Sequence, residues 1–196
     1  MKTYVASKND GKLKELREIF RGSPFELEIY SAYGDVEETA KNYAANALIK
    51  ALALFAQLRD AGVKAAVLAD DSGIEVAALG GEPGVFSARY APGATWPERL
   101  QRLLGEVGAV ADEQRGVKFV CAMALILPDG RQVEGYGEVH GRLTCAPVGS
   151  NGFGYDPVFF YPPIGKAFGE IPEEQKNRLS HRYNAAQSLL EAYRAL

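Results

Sequence analysis

The chain has 196 residues, 47% of them hydrophobic and 24% charged, a composition typical of globular proteins and unlike that of disordered or fibrous chains. Its formal net charge of −3 gives no broad electrostatic footprint for nucleic acid or an anionic membrane, so a polyanionic ligand would need local lysines, arginines or a metal ion. The N-terminus turns polar before a signal-peptide core could form, and the longest apolar run, residues 119–127, is shorter than the about 20 residues that cross a bilayer. We therefore expect a cytoplasmic protein.

Hydrophobic periodicity predicts five elements in the first part of the chain. They are a strand at 2–6, a helix at 12–20, a strand at 25–30, a long helix at 39–61 and a strand at 65–69. On the long helix, the spacing of apolar residues predicts a buried stripe formed by Leu48, Ala51, Leu52, Phe55 and Leu58. A polar row on another face is either solvated or lines a cleft, and it consists of Asn42, Asn46 and Lys50.

Two aspartates, Asp70 and Asp71, follow the apolar strand in the sequence VLADDSGIEV. One interpretation is a tight reversal leading to a further strand at 74–77, because Asp, Ser and Gly favour turns. The other is a metal or proton site. Since strand side chains alternate faces, two adjacent aspartates point in opposite directions, and at most one of them faces a given cleft.

The second half of the chain contains one clear helix start and one hairpin. Thr95 and Glu98 have the spacing of a capping box, with a proline between them just inside the helix. Strands at 118–127 and 132–142 are joined by a Pro-Asp-Gly turn, and Ser180 is the predicted cap of the last helix. Helices between strands, together with one hairpin, predict an α/β protein with a mixed sheet.

The loop SKNDGK, residues 7–12, is a candidate phosphate site. It follows a strand and precedes a helix, where backbone N–H groups gather phosphate oxygens, and Lys12 would add a positive charge. It is not a Walker A loop, because it lacks the upstream glycine and the hydroxyl residue after the lysine. An ordinary loop between strand and helix is the alternative.

The run NGFGYDP, residues 151–157, lacks the third glycine of a dinucleotide-binding fingerprint. Gly152 and Gly154 instead leave Phe153 on a flexible backbone beside an aspartate, which suits a base-stacking platform; an aromatic folded back into the core is the alternative. The pair Glu37 and Glu38 either favours the dipole of the following helix or supplies an oxygen ligand to a hard cation such as Mg²⁺.

Taken in order, seven segments resemble the inosine triphosphate pyrophosphatase family, the house-cleaning purine NTP pyrophosphatases. They are SKNDGK, EET, NALIKA, LADDSG, LGGEPGVFSARYA, GFGYDPVF and LSHR. The resemblance implies a single two-lobed α/β domain over residues 1–196, with an elongated mixed sheet flanked by helices, a nucleotide cleft between the lobes and a homodimeric assembly. It also implies hydrolysis of the purine nucleoside triphosphates ITP, dITP and XTP to monophosphate and pyrophosphate with Mg²⁺, or with Mn²⁺ as an alternative metal.

The same resemblance implies a set of site residues. Asp71 matches the family's catalytic carboxylate and metal ligand, and Glu38 matches the other metal-binding acid, which leaves Asp70 a structural or supporting role. The residues that match triphosphate contacts are Ser7, Lys8, Asn9, Asp10, Gly11, Lys12, Lys50 and Ser72. The residues that match contacts to the base and sugar are Phe153, Gly154, Tyr155, Asp156, Lys176, His181 and Arg182.

The chain departs from the family pattern at two places. Lys8 stands where relatives often have a small residue, and Ala45, within AKNYAANA, lacks a common carboxylate. Three alternatives remain open: a Maf-type nucleotide pyrophosphatase, against which LSHR and GFGYDP argue; a haloacid-dehalogenase-type phosphatase, which needs aspartates two apart; and a nucleotide-binding sensor that has lost turnover.

Overall fold

The computed structural model describes residues 1–34 and 36–196. Its strands are β1 (Lys2–Val5), β2 (Glu26–Ile29), β3 (Ala66–Val76), β4 (Gly116–Ile126), β5 (Gln132–Leu143), β6 (Phe159–Tyr161) and β7 (Lys166–Ala167). Its helices are α1 (Asp10–Ile19), α2 (Tyr43–Asp60), α3 (Trp96–Val107), α4 (Glu173–Asn177) and α5 (His181–Arg194). Short 3₁₀ turns connect several of these elements.

The strands form one mixed sheet in the order β2-β1-β3-β4-β5-β6-β7. Strand β1 pairs in parallel with β2 and β3, whereas β6 pairs in antiparallel fashion with both β5 and β7. Strands β4 and β5 are neighbours and are joined by a tight turn in which the N–H of Leu127 donates to the carbonyl of Arg131 over 2.8 Å. The predicted mixed α/β fold and its hairpin are confirmed.

The chain divides into two compact units. Unit 1 comprises Met1–Asp71, Cys121–Gly137 and His181–Leu196, and unit 2 comprises Ser72–Val120 and Glu138–Ser180. Strands β3, β4 and β5 each contribute residues to both units.

Unit 1 has three layers, and strand alternation explains them. On one face of β3, Ala66 and Leu68 belong to the apolar cluster that includes Leu16 of α1 and Leu189 of α5. On the other face, residues such as Val67 belong to the cluster built on α2. The side-chain period of two therefore assigns successive residues of β3 to different helices.

Helix α5 packs closely on β5 because β5 has glycine at the contact points. A Cβ atom at Gly137 would lie 2.2 Å from the backbone nitrogen of Ala185 and 2.5 Å from the carbonyl oxygen of His181. A Cβ at Gly135 would lie 2.3 Å from the carbonyl oxygen of Ala185. Any larger residue would push away the helix start that carries His181 and Arg182.

Unit 2 has its own aromatic core. The rings of Phe119 and Phe159 stack with centroids 4.4 Å apart, and the ring of Phe168 lies 4.7 Å from that of Phe159. Helix α3 adds its apolar stripe to this cluster. It begins with the predicted capping box, in which the Glu98 carboxylate accepts from the Thr95 N–H over 2.7 Å.

The start of α2 differs from the prediction, whereas most of its predicted buried stripe is confirmed: Ala51 and Leu58 are buried, and Leu48 and Phe55 pack against the same cluster. The helix begins at Tyr43 rather than Thr39, because the side chain of Asn42 accepts a hydrogen bond from the N–H of Ala45 and caps the first turn. Leu52, predicted to be buried, is 44% exposed, while the polar Asn46 and Lys50 are buried. The helix is apolar on most of its surface, so periodicity alone does not determine which residues lie at the edges of its buried face.

No helix within the described residues combines the length and the apolar character needed to cross a membrane.

Candidate active site

Strand β3 delivers both aspartates to unit 1. The reversal predicted at Asp70–Gly73 is wrong, because β3 runs without interruption from Ala66 to Val76. Each carboxylate has a side-chain partner on a helix, Asn46 for Asp71 and both Lys12 and Arg182 for Asp70. The predicted alternation is confirmed, since Asp70 faces α1 and α5 whereas Asp71 faces α2.

Asp70 lies at the centre of a buried ion network. Its Oδ2 atom is 3.1 Å from Nζ of Lys12 and 3.3 Å from Nε of Arg182. A second carboxylate, that of Glu15, accepts from Nη1 of Arg182 over 3.0 Å. Burial by itself would raise the pKa of Asp70, but the charges of Lys12 and Arg182 outweigh it and hold that pKa well below its usual range.

Asp71 lies on the opposite face among polar residues of α2. Its Oδ2 atom accepts a hydrogen bond from the amide of Asn46 over 3.0 Å, and its Oδ1 atom is 4.0 Å from Nζ of Lys50. The same ammonium donates to Oε1 of Glu38 over 2.7 Å. Lys50 therefore lies between two carboxylates.

The electrostatics of this face favour a proton acceptor. Burial raises the pKa of Asp71, and the negative charge of Glu38 adds to that increase, while the positive charge of Lys50 opposes it only in part. The pKa of Lys50 is raised because the charges of Asp70, Asp71 and Glu38 outweigh its burial. Asp71 thus binds a proton more readily than an ordinary aspartate, whereas Lys50 stays charged.

Asn46 connects the two acidic segments. Its side-chain oxygen accepts from the N–H of Ala40 over 2.9 Å, so one amide orients the Asp71 carboxylate and fixes the segment that follows Glu38. Asn46 is absent from the predicted site, although the polar row on α2 was the signal that could have identified it. Glu15 is also absent from the prediction, and its spacing of three residues from Lys12 on one helix was the corresponding signal.

The predicted phosphate loop forms the start of α1. Asn9 is the N-cap, and its side chain accepts from the N–H of Lys12 over 3.0 Å. The Ser7 hydroxyl accepts from the N–H of Asn9 over 3.2 Å. Lys8 and Asp10 are exposed, and Gly11 lies in the first turn. The helix therefore begins at Asp10 rather than at the predicted Lys12, because Asn9 caps it.

The glycine-rich loop forms a separate polar cluster in unit 2. The buried Asp156 carboxylate accepts from the N–H of Phe153 over 2.8 Å and pairs with Nζ of Lys176, also over 2.8 Å. That ammonium lies 4.8 Å from the centre of the half-buried Phe153 ring. Gly152 has a φ of +74°, and a Cβ there would lie 2.1 Å from Oδ2 of Asp156, so the loop requires glycine at this position.

Four further predicted residues lie next to members of these clusters in the sequence. The hydroxyl of Tyr155 donates to the carbonyl of Ser87 over 2.9 Å, and burial raises the pKa of Tyr155 to about 12, so the hydroxyl serves as a structural donor. Gly154 follows Phe153 with a φ of +63°. Ser72 is half-buried on β3 in unit 2, and His181 is the buried first residue of α5 in unit 1.

The residues on the Asp71 face fit a hard divalent cation. Glu38 and Asp71 offer carboxylate oxygens, which Mg²⁺ prefers, and the raised pKa of Asp71 reflects a place where a further positive charge is favoured. Residues 1–34 and 36–196 contain no group of three His, Cys, Asp or Glu side chains that could hold a metal by themselves. The other ligands of a Mg²⁺ ion would therefore be water and phosphate oxygens, as is usual for this metal.

The fold and these clusters define an α/β protein in which carboxylates pair with basic side chains carried by the α-helices. The model of the Ham1 family matches residues 3–192. The chain is 43% identical to the dITP/XTP pyrophosphatase of Symbiobacterium thermophilum, an alignment that covers 98% of this chain and 94% of that relative. It is also 43% identical to the dITP/XTP pyrophosphatase of Methylococcus capsulatus, over 100% of this chain and 97% of that relative.

The chain is also similar to a solved structure over its whole length. The HAM1 protein from Coxiella burnetii superposes with a TM-score of 0.87 at 34% identity, and the match covers 100% of both chains. The chain belongs to the Ham1 family. The resemblance found in the sequence is thereby confirmed.

Proposed function

We propose that this chain hydrolyses non-canonical purine nucleoside triphosphates, namely ITP, dITP and XTP, to the monophosphate and pyrophosphate, and so cleanses the nucleotide pool. Membership of the Ham1 family and two relatives named dITP/XTP pyrophosphatase support this activity. The observation that carries the proposal is the position of Lys50 between Asp71 and Glu38. We also propose that the enzyme is cytoplasmic and homodimeric.

The charge of the site suits a triphosphate. A nucleoside triphosphate carries about four negative charges near neutral pH, and Lys12 and Lys50 would contact its phosphates. Lys12 is held by Asp70, so its ammonium is oriented before the substrate arrives. The leaving pyrophosphate gains negative charge as the bond to the α-phosphorus breaks, and these two ammonium groups would stabilise it.

Glu38 and Asp71 would hold Mg²⁺. When bound, the cation polarises phosphoryl oxygens and makes a nearby water molecule more acidic. In our account Asp71, whose Oδ2 atom is oriented by the Asn46 amide, accepts the proton of the attacking water. The raised pKa of Asp71 suits this role, because a general base works best when its pKa approaches the working pH.

We propose that the base and the sugar bind the residues that match base and sugar contacts in the family, among them Phe153 and Arg182. The ring of Phe153 would stack on the purine, with Lys176 and Asp156 holding its loop in position. Arg182 would donate to the 6-keto oxygen of hypoxanthine or xanthine, a group that adenine replaces with a donor. The two carboxylates that bind Arg182 in unit 1 would keep its guanidinium oriented.

The test is a comparison of pyrophosphate release from ITP and ATP by the purified chain with Mg²⁺. We expect pyrophosphate and inosine monophosphate in equal amounts from ITP, and a much slower reaction with ATP. A preference for pyrimidine triphosphates would favour the Maf-type alternative, and release of single phosphate groups would favour a phosphatase. Binding of ITP without turnover would identify the chain as a sensor.

A further inference from the structure

A cavity in unit 2 contains two arginines that the proposed reaction does not use. Its volume is about 280 Å³. Its lining consists of Asp112, Arg115, Arg142, Leu143, Thr144, Cys145 and Phe160. None of these residues belongs to the candidate active site.

Arg115 is a buried cation with unused donors. It is 5% exposed, and its guanidinium donates to the carbonyl oxygens of Leu143, Thr144 and Gly108 over 2.8, 2.7 and 3.2 Å. A guanidinium has five N–H donors, so two have no acceptor within residues 1–34 and 36–196. Three carbonyl dipoles fix the group in place but leave its charge uncompensated, and an unpaired buried charge is costly.

Arg142 adds a second positive charge at the same cavity. Its guanidinium lies over the Phe160 ring, 5.8 Å from the centroid, and is exposed. Among the described residues, no carboxylate forms an ion pair with either arginine. Asp112 is the one acidic residue of the lining, which leaves the cavity with an excess of positive charge.

We propose that this cavity binds a small phosphoryl oxyanion, inorganic phosphate or pyrophosphate. Such an anion would accept hydrogen bonds from the two unused N–H groups of Arg115 and form an ion pair with Arg142. The planar guanidinium group matches the spacing of phosphate oxygens well. The proposal does not depend on the proposed hydrolase activity, because none of the cavity residues takes part in that reaction.

Cys145 provides a reporter at the site. It is exposed and lines the cavity, whereas the other cysteine, Cys121, is buried, so a thiol reagent modifies Cys145 selectively in the folded protein. The experiment measures the modification rate with a neutral aromatic disulfide as phosphate or pyrophosphate is added. Sodium chloride keeps the ionic strength constant, so that general screening does not change. Phosphate bound at the active site would leave this rate unaltered.

We expect saturable protection, with the rate falling about threefold when the anion concentration is about twice its dissociation constant. The variant Arg142→Gln should raise the anion concentration needed for half-maximal protection by roughly threefold to tenfold, as expected for the loss of one partly exposed charged contact. The matched control is Arg131→Gln, which removes an exposed arginine from the β4–β5 turn. In this variant Cys145 should be protected at the same anion concentration as in the wild type. Arg115 is left intact because it holds three backbone carbonyls.

The two anions are compared in separate arms. Protection at lower concentration by pyrophosphate than by phosphate would identify the diphosphate as the preferred occupant, and the reverse would identify phosphate. Unchanged modification rates with both anions would overturn the proposal. Protection of Cys145 at the same anion concentration in Arg142→Gln and Arg131→Gln would overturn it as well.

Discussion

Asp70 and Asp71 are neighbours in sequence but have opposite electrostatic environments. Asp70 is paired with Lys12 and Arg182, and its pKa is held low despite its burial. Burial and Glu38 together raise the pKa of Asp71. One residue step on a strand thus separates a carboxylate that stabilises charge from one that can accept a proton.

We predict that Asp71→Asn lowers kcat for ITP by about 10²–10⁴-fold, the usual effect of losing a general base. The fold should persist, because burial disfavours the ionised form of the Asp71 carboxylate and the substitution puts an uncharged amide in its place. Steady-state kinetics and circular dichroism measure the two effects. The matched control is Asp60→Asn, which changes an exposed aspartate at the end of α2 and should leave kcat unaltered. A folded Asp71→Asn variant with wild-type kcat would contradict the catalytic assignment.

Asp70→Asn should act on stability. Removing the charge of Asp70 leaves Lys12 without its buried partner and leaves Arg182 paired with Glu15 alone, and breaking a buried ion network in this way costs about 3–5 kcal/mol. Because the pKa of Asp70 is lowered on folding, its contribution is present above its ordinary pKa of 3.8 and is lost as the pH falls below that value. Urea unfolding in EDTA should therefore show a large difference from wild type at pH 7 and a smaller one near pH 3. Asp129→Asn, at an exposed turn, is the control, and an equal effect would refute the assignment.

The metal proposal is also tested at a single residue. Glu38→Gln should raise the Mg²⁺ concentration needed for half-maximal rate by about tenfold or more, because a neutral amide is a weaker ligand for a hard cation. The rate at saturating Mg²⁺ should fall less. Glu37→Gln, at the exposed neighbouring position, is the control in a titration of rate against Mg²⁺. Identical titration curves for the two variants would exclude Glu38 as a ligand.

Secondary-structure elements show which part of the site the sequence could predict. Alternation on β3 depends only on the period of a strand, so the opposite orientation of the two aspartates was predictable. The exposure of Leu52 and the burial of Asn46 and Lys50 were not, because apolar residues surround most of α2 and Leu52 is as hydrophobic as its buried neighbours. Long-range hydrogen bonds to Asp71 and Glu38 accompany the inward position of Asn46 and Lys50, and such contacts leave no local signal.

The loop before Phe153 was predicted as flexible, yet its geometry is fixed by one carboxylate. At Gly152 an alanine Cβ would meet Asp156 at 2.1 Å, whereas Gly165, which also has a positive φ, has open space around it. Both Gly→Ala changes impose backbone strain of about 1–2 kcal/mol, so their difference isolates the contact with Asp156.

We therefore predict that Gly152→Ala lowers the free energy of unfolding by at least about 1 kcal/mol more than Gly165→Ala does. It should also raise KM for ITP, since displacement of Asp156 removes the partner of Lys176 and of the Phe153 backbone. Urea unfolding and steady-state kinetics provide the comparison. Equal values for the two variants would mean that the loop adjusts without moving Asp156.

For the whole molecule, the order of motifs was more informative than any one motif. SKNDGK or DDSG alone is compatible with ordinary loops and turns, and DDSG is in fact part of a continuous strand. Seven such segments in one order predicted the family that the Ham1 match confirms. The division of the chain between 71 and 72 was not predictable, because the boundary lies inside β3 and no linker composition marks it.

We propose that the chain cleaves ITP between its α- and β-phosphates with the help of a divalent cation. The most direct measurement is pyrophosphate release from ITP, first with Mg²⁺, then after exhaustive treatment with EDTA, and finally after Mg²⁺ is restored. We predict stoichiometric pyrophosphate and inosine monophosphate with Mg²⁺, no turnover in EDTA, and recovery on addition of the metal. Full activity in EDTA, or the absence of pyrophosphate while ITP binds to the Mg²⁺-loaded protein, would contradict metal-dependent hydrolysis by this chain.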